Sequence, residues 1–322
     1  MNNKTKGYLY GAVAAATYGM NPLFALPLYA DGMNADSVLF FRYLLALAIL
    51  GGMIKWRGRD FRVRKREVLP LAAIGMLMAC SSLTLFLSYN YMAAGIASTM
   101  LFVYPILVAL IMAICFREKV TILTAACIAL ALLGIAMLYQ GDGGETLNPV
   151  GVALVMASAL SYAIYMVWVN RPSLRDIPTV KQTFYALLFG LFVFLVRIGI
   201  DGSLLLPGHW YHWGNLVALA VLPTAVSFVS TTKAVQFIGS TPTAILGALE
   251  PLTAVFFGVT MFGEPLTARI VGGILLIVLA VTLIIAGGRI GSYLVRFRKL
   301  FPKLPRIKKR RPVAGEKSEG AK

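Results

Sequence analysis

The chain has 322 residues, of which 59% are hydrophobic and only 13% charged. A soluble domain carries about 25% charged residues, so this composition excludes an ordinary soluble fold and points to a membrane protein. The net charge of +17 is not a nucleic-acid footprint, because the cations cluster beside apolar runs: seven lie from Lys55 to Arg66 and twelve after Gly288. Juxtamembrane clusters of this kind set orientation and attract anionic lipid.

A helix needs about 20 apolar residues to cross the hydrocarbon core. Ten spans are expected, at roughly 8–30, 36–54, 68–89, 93–116, 120–140, 148–170, 179–200, 212–235, 241–262 and 266–287. The first follows Lys4 and Lys6 and is read as an uncleaved helix, too long for a signal-peptide core. Residues 68–116 contain no charge and are too long for one helix, so a turn is placed at Asn90 to Gly95. A second cut is placed between Lys233 and Gly239.

With the N-terminus inside and alternating crossings, 27 of the 30 Lys and Arg fall on the inner side. The loops holding Asp31, Asp36, Asp142, Glu145, Asp201 and Glu264 fall outside. This positive-inside pattern puts both termini in the cytoplasm of a bacterial inner (plasma) membrane.

The two halves repeat. Tyr104-Pro105, Glu118 and Thr121 recur as Glu250-Pro251, Glu264 and Thr267 at a constant offset of 146, which also pairs Asn90 with Gln236. Gly7 and Tyr18 pair with Gly151 and Tyr162 at 144. Five helices per half is an odd number, so the second half is inverted, the arrangement of secondary transporters with a site near the midplane. The expected fold is an all-α integral membrane protein of ten transmembrane helices in two inverted five-helix repeats, 1–147 and 148–288. A basic cytoplasmic tail, 289–322, begins with an interfacial helix on anionic lipid and continues as disordered chain.

The stretches Gly7 to Asn21, Leu85 to Gly134 and Ala234 to Leu279 resemble the drug/metabolite transporter superfamily, EamA-type branch. The features that carry the likeness are the prolines of spans 4 and 9 and the short Glu-containing turns before spans 5 and 10. Arg42 stands where that family often has an Arg, and Tyr18 departs from a frequent Trp. The resemblance implies export or exchange of amino acids, other metabolites or drugs, without naming the solute.

Glu250 is the acidic residue set well inside a span. A charge there costs roughly 2.5–3.5 kcal/mol on insertion scales, so it faces the bundle interior or a wet cavity. It serves proton coupling or a substrate amine, or else it stabilises the break at Pro251. Pro105 and Pro251 lack an N–H and free the carbonyls of Leu101 and Gly247, for binding, bending or a static kink. Arg42 holds a carboxylate substrate or a polar partner, or else snorkels to the outer interface. Tyr18, Asn21, Tyr89, Asn90, Tyr104, Tyr162, Tyr165, Thr224, Ser227 and Gln236 are candidates for a tyrosine-rich, uncharged lining. Small residues at spacing four (Gly11, Ala15 and Gly19; Ala153, Ala157 and Ser161) are expected to form packing faces of spans 1 and 6 that meet.

Cys80, Cys115 and Cys127 sit in apolar runs and read as small core residues. His209 and His212 are assigned to a wet outer loop beside Trp210. Gly141 to Gly144 is a loop, since no strand precedes it as a phosphate cradle requires. No metal or cofactor is expected, and no catalytic constellation supports an intramembrane enzyme. The leading function is an alternating-access carrier of small metabolites, with oligomeric state open. A channel or lipid scramblase, or a structural or sensory membrane protein, is the alternative.

Overall fold

The computed structural model describes residues 2–92, 94–117, 120–138, 148–169, 171–201, 204–262, 267–269 and 271–283. The helices belong to one compact unit, Met1–Ile285; a second unit, Ala286–Lys322, holds the basic tail and lies outside the described residues. Glu118, Glu264 and the glycine loop 141–144 also lie outside them.

Without water, backbone polar groups must be satisfied within the segment, so apolar runs fold as helices. In chain order these are α1 (Asn3–Tyr18), α2 (Asn21–Ala30), α3 (Ala35–Trp56), α4 (Lys65–Ser88), α5 (Ala94–Leu101), α6 (Tyr104–Phe116), α7 (Ile122–Leu138) and α8 (Pro149–Trp168). There follow α9 (Pro172–Arg175), α10 (Thr179–Asp201), α11 (Trp210–Leu219), a π-helical turn (Ala220–Val226), α12 (Ser227–Ile238), α13 (Ser240–Leu246), α14 (Leu249–Phe262) and α15 (Val271–Leu283). The Asn34 and Asn148 side chains accept from the backbone N–H groups of Ser37 and Val150, both at 2.9 Å, and so cap α3 and α8.

Contacts between distant segments orient the spans. At one end, Arg197 donates to both carboxylate oxygens of Asp36 (2.8 and 3.2 Å), the Leu205 N–H donates to Ser37 Oγ (2.8 Å), and His212 Nε2 lies 3.0 Å from Asp31 Oδ2. At the other end, Lys181 donates to the Arg62 carbonyl, Thr179 to Gln236 Oε1 (3.2 Å), and Lys233 to the Tyr10 hydroxyl (3.3 Å). So α3 runs from the acidic end to the basic end, whereas α10, its counterpart in the second half, runs the other way. The pair formed by α4 and α11–α12 is reversed likewise. The inversion expected from an odd helix count is present in the packing.

Pairing of the helices obeys the same symmetry. α1 packs on α12, and its counterpart α8 packs on α4. The small-residue faces of spans 1 and 6 therefore do not meet, contrary to expectation. Gly11 faces Leu246 and Gly19 faces the Glu250 backbone, while the Ser161 hydroxyl contacts Cys80. The span 1 face receives the opposite half, whereas on span 6 Ala153 and Ala157 are exposed and only Ser161 makes such a contact. Outward-facing large side chains such as Phe192, Ile114, Phe256 and Leu275 are more than half exposed, as a lipid-facing surface requires.

Candidate functional site

Among the described residues three spans are broken, and the breaks meet. Span 1 is interrupted at Gly19-Met20, span 4 at Phe102-Val103 and span 9 at Gly247-Ala248. In each case a proline lies in the first turn of the second half-helix, where its missing N–H and fixed φ are tolerated: Pro22, Pro105 and Pro251. At the first break Thr17 Oγ1 also bonds back to the Val13 carbonyl at 2.7 Å, a contact that bends helices. The carbonyl of Gly247, expected to be free, accepts from the Glu250 N–H at 2.8 Å, so the break in span 9 tightens rather than gapes.

The residue before each of these prolines is polar: Asn21, Tyr104 and Glu250. The Tyr104 hydroxyl donates to Glu250 Oε1 at 3.5 Å. Asn21 is 2% exposed, and both its amide atoms lack a protein partner. Buried polar groups are nearly always satisfied, so this amide faces a space that water or a ligand fills.

That space is a cavity of about 30 Å³. Its wall is built from the first break (Tyr18, Gly19, Asn21, Pro22), the end of α4 (Leu85, Tyr89), α5 (Ser98, Leu101) and the third break (Glu250, Pro251). Tyr89 and Ser98 hydrogen-bond one another. A cavity above about 10–15 Å³ admits a water molecule, so this one has room for water but not for an amino-acid-sized solute.

Tyrosines buttress it. Tyr18 stacks on Tyr162 (centroids 5.9 Å apart), Tyr162 meets Tyr104 edge-on (4.9 Å) and stacks on Tyr165 (6.0 Å). Their hydroxyls are engaged where the rings turn away from the cavity: Tyr162 with Thr231 and Tyr165 with Thr232. Such aromatic pairs prefer offset and edge-on arrangements.

Of the residues singled out in the sequence, Tyr18, Asn21, Tyr104, Tyr162, Glu250, Pro105 and Pro251 are brought together at or around the cavity. Tyr165 stands one ring behind. Asn90 is an exposed turn residue after α4, and Gln236 accepts from Thr179 near the basic end, so neither joins the site. Arg42 does not snorkel: it is fully buried, held by Thr224 Oγ1 and the Pro223 carbonyl (3.3 Å). His212 is not in a wet loop either, being 3% exposed and bonded to Asp31. Tyr89, also a candidate from the sequence, lines the cavity; sequence reading missed its partner Ser98 and the break in span 1, although Asn21-Pro22 repeats the polar-proline signal of the other two breaks.

The model of the EamA-like transporter family matches twice, over residues 5–140 and 149–286. An uncharacterized transporter of Archaeoglobus fulgidus is 29% identical over 253 residues, covering 76% of this chain and 85% of that one. An uncharacterized inner membrane transporter, YicL of Salmonella typhimurium (strain LT2), is 25% identical over 88% of this chain and 96% of its own. The threonine/homoserine exporter RhtA of Salmonella typhimurium (strain SL1344) is 26% identical over 73% and 76%. A solved structure shares the fold at a TM-score of 0.73 and 16% identity, covering 86% of this chain and 96% of that chain. Doubled repeat, opposed halves and twofold family match together place this chain in the EamA-like transporter family.

Proposed function

We propose that the chain is a secondary exporter or exchanger of small metabolites, amino acids or amphipathic compounds, working by alternating access. The two units are residues 1–147 and 148–288, both termini are cytoplasmic in the inner membrane, and the basic tail rests on anionic lipid. The observation that supports this reading best is the meeting of three broken spans, 1, 4 and 9, beside a small cavity into which Asn21 and Glu250 bring polar groups. Discontinuous helices that meet at the interface of two inverted repeats are the arrangement of a secondary transporter rather than of a channel. Half-helices that end at the cavity can swing without unpairing the rest of their spans. RhtA is named as an exporter of threonine and homoserine, solutes bearing an ammonium and a carboxylate, and a carboxylate such as Glu250 suits the ammonium. Proton coupling is placed at Glu250 as well, since protonation and ammonium binding neutralise the same buried charge.

Counterflow tests the reading. Proteoliposomes preloaded with unlabelled L-threonine or L-homoserine should take up the labelled solute faster than empty ones, with saturable kinetics. Flux linear in concentration and indifferent to preloading would return the channel reading.

A further inference from the structure

Arg42 stands one aromatic layer behind the cavity. Its Nε–H donates to Thr224 Oγ1 and its Nη2–H to the Pro223 carbonyl at 3.3 Å, but Nη1 has no partner. Among the described residues no carboxylate lies within ion-pair distance of it. A guanidinium does not shed its proton, and burying one without a counter-charge is costly. A purely structural arginine at this depth would be expected to fill every donor.

Two aromatic rings separate the guanidinium from the cavity. Phe86 and Phe228 cover it, with ring centroids 5.5 and 6.0 Å from Cζ. Phe86 in turn lies 5.5 Å from the Tyr89 ring and Phe228 6.0 Å from the Tyr18 ring, and those two tyrosines wall the cavity. Both protein acceptors of Arg42 belong to the π-helical turn at Pro223, the irregular segment of span 8. π-Bulges are frequent at functional sites because they allow a local change of register.

We propose that Arg42 is the anion anchor of the transport site, and that its free Nη1, with Nη2 released from Pro223, receives a carboxylate of the cargo. This rests on the transporter reading above and deepens it. A planar guanidinium matches a carboxylate with two parallel bonds. Glu250 and Asn21 line the cavity on the other side of Tyr18, so the cargo is gripped at both poles. In this conformation Phe86 and Phe228 cover the guanidinium, and the π turn holds it.

The test is selectivity. Full-length protein in proteoliposomes is assayed by counterflow with the twenty common L-amino acids and with the decarboxylated amine of each one that exchanges. The wild type should exchange the amino acid at least about tenfold faster than its amine, the worth of one charge-assisted pair. Arg42→Gln should bring the two rates together, and Arg42→Lys should keep part of the preference. A merely structural role would lower both rates without changing their ratio. A preference in Arg42→Gln equal to that of the wild type overturns the proposal. So does a wild type that exchanges amines or neutral solutes but no carboxylate, a result that leaves the transporter reading standing. Absence of counterflow for every solute removes both.

Discussion

Tyr104 and Glu250 occupy the same position in the two repeats, 146 residues apart, and they touch: the tyrosine hydroxyl donates to Glu250 Oε1 at 3.5 Å. Tyr18 and Tyr162, equivalent at an offset of 144, stack on one another as well. Residues related by a two-fold operation meet only beside the axis. The pseudo-symmetry axis of the fold therefore passes through the wall of the cavity, and the site is a place where sequence equivalence has been broken. One repeat supplies a phenol and the other a carboxyl.

Glu250→Gln keeps the size of the side chain and removes the titratable group. Transport by that variant is expected to lose its dependence on a pH gradient while solute exchange at equal pH persists in part. Uptake in proteoliposomes with and without an imposed gradient measures this, and unchanged coupling would end the proton role of Glu250.

Gly247 permits the central contact. A Cβ on this residue would run into the Tyr104 hydroxyl, and one on Gly19 into the Glu250 carbonyl oxygen. Gly247→Ala should cost about 1–3 kcal/mol through forced displacement of Tyr104. Gly52→Ala, whose Cβ would meet nothing within 4 Å, should leave stability near that of the wild type. Thermal unfolding of the purified variants separates them, and equal midpoints would contradict the packing at the axis.

The ten-helix plan was largely legible because lipid forces long uninterrupted apolar runs and charge alternation fixes their direction. The cut at Gly239 was legible too: that residue adopts φ +88°, a backbone region open to glycine, and separates α12 from α13. The break in span 1 was not read, because Gly19 and Pro22 lie inside a run that is apolar enough to cross whole. For Arg42 the polar-partner alternative holds and snorkelling fails, a choice hydropathy cannot make because it gives depth but not facing. Its neighbours Thr224 and Pro223 lie more than 180 positions away. His212 was misplaced for the same reason, since its partner Asp31 comes from the other repeat.

At the acidic end Asp31 and His212 join α2 to α11. The hydrogen bond from His212 holds the Asp31 carboxyl below its ordinary value of 3.8. A depressed carboxyl contributes stability that is present above its unfolded value and lost as pH falls through the folded one. The unfolding midpoints of wild type and Asp31→Asn should thus differ at neutral pH and converge below pH 3.8. A gap that stays constant down to that range would deny the contact a role.

Asp36 and Arg197 form a two-pronged pair between α3 and α10, with side chains 10% and 36% exposed. A double-mutant cycle with Asp36→Asn and Arg197→Gln should return a coupling of about 0.5–1 kcal/mol, reduced by salt because one partner is partly solvated. Additive single effects would show that the pair contributes nothing.

Asn21 offers the most direct test of a cavity that opens in turn to each side. With Cys80, Cys115 and Cys127 replaced by alanine, Asn21→Cys can be challenged with a membrane-impermeant thiol reagent in right-side-out and inside-out vesicles. Reaction from both faces, slowed by transported solute, is the predicted result. Reaction from one face alone, or from neither, would contradict alternating access through this site.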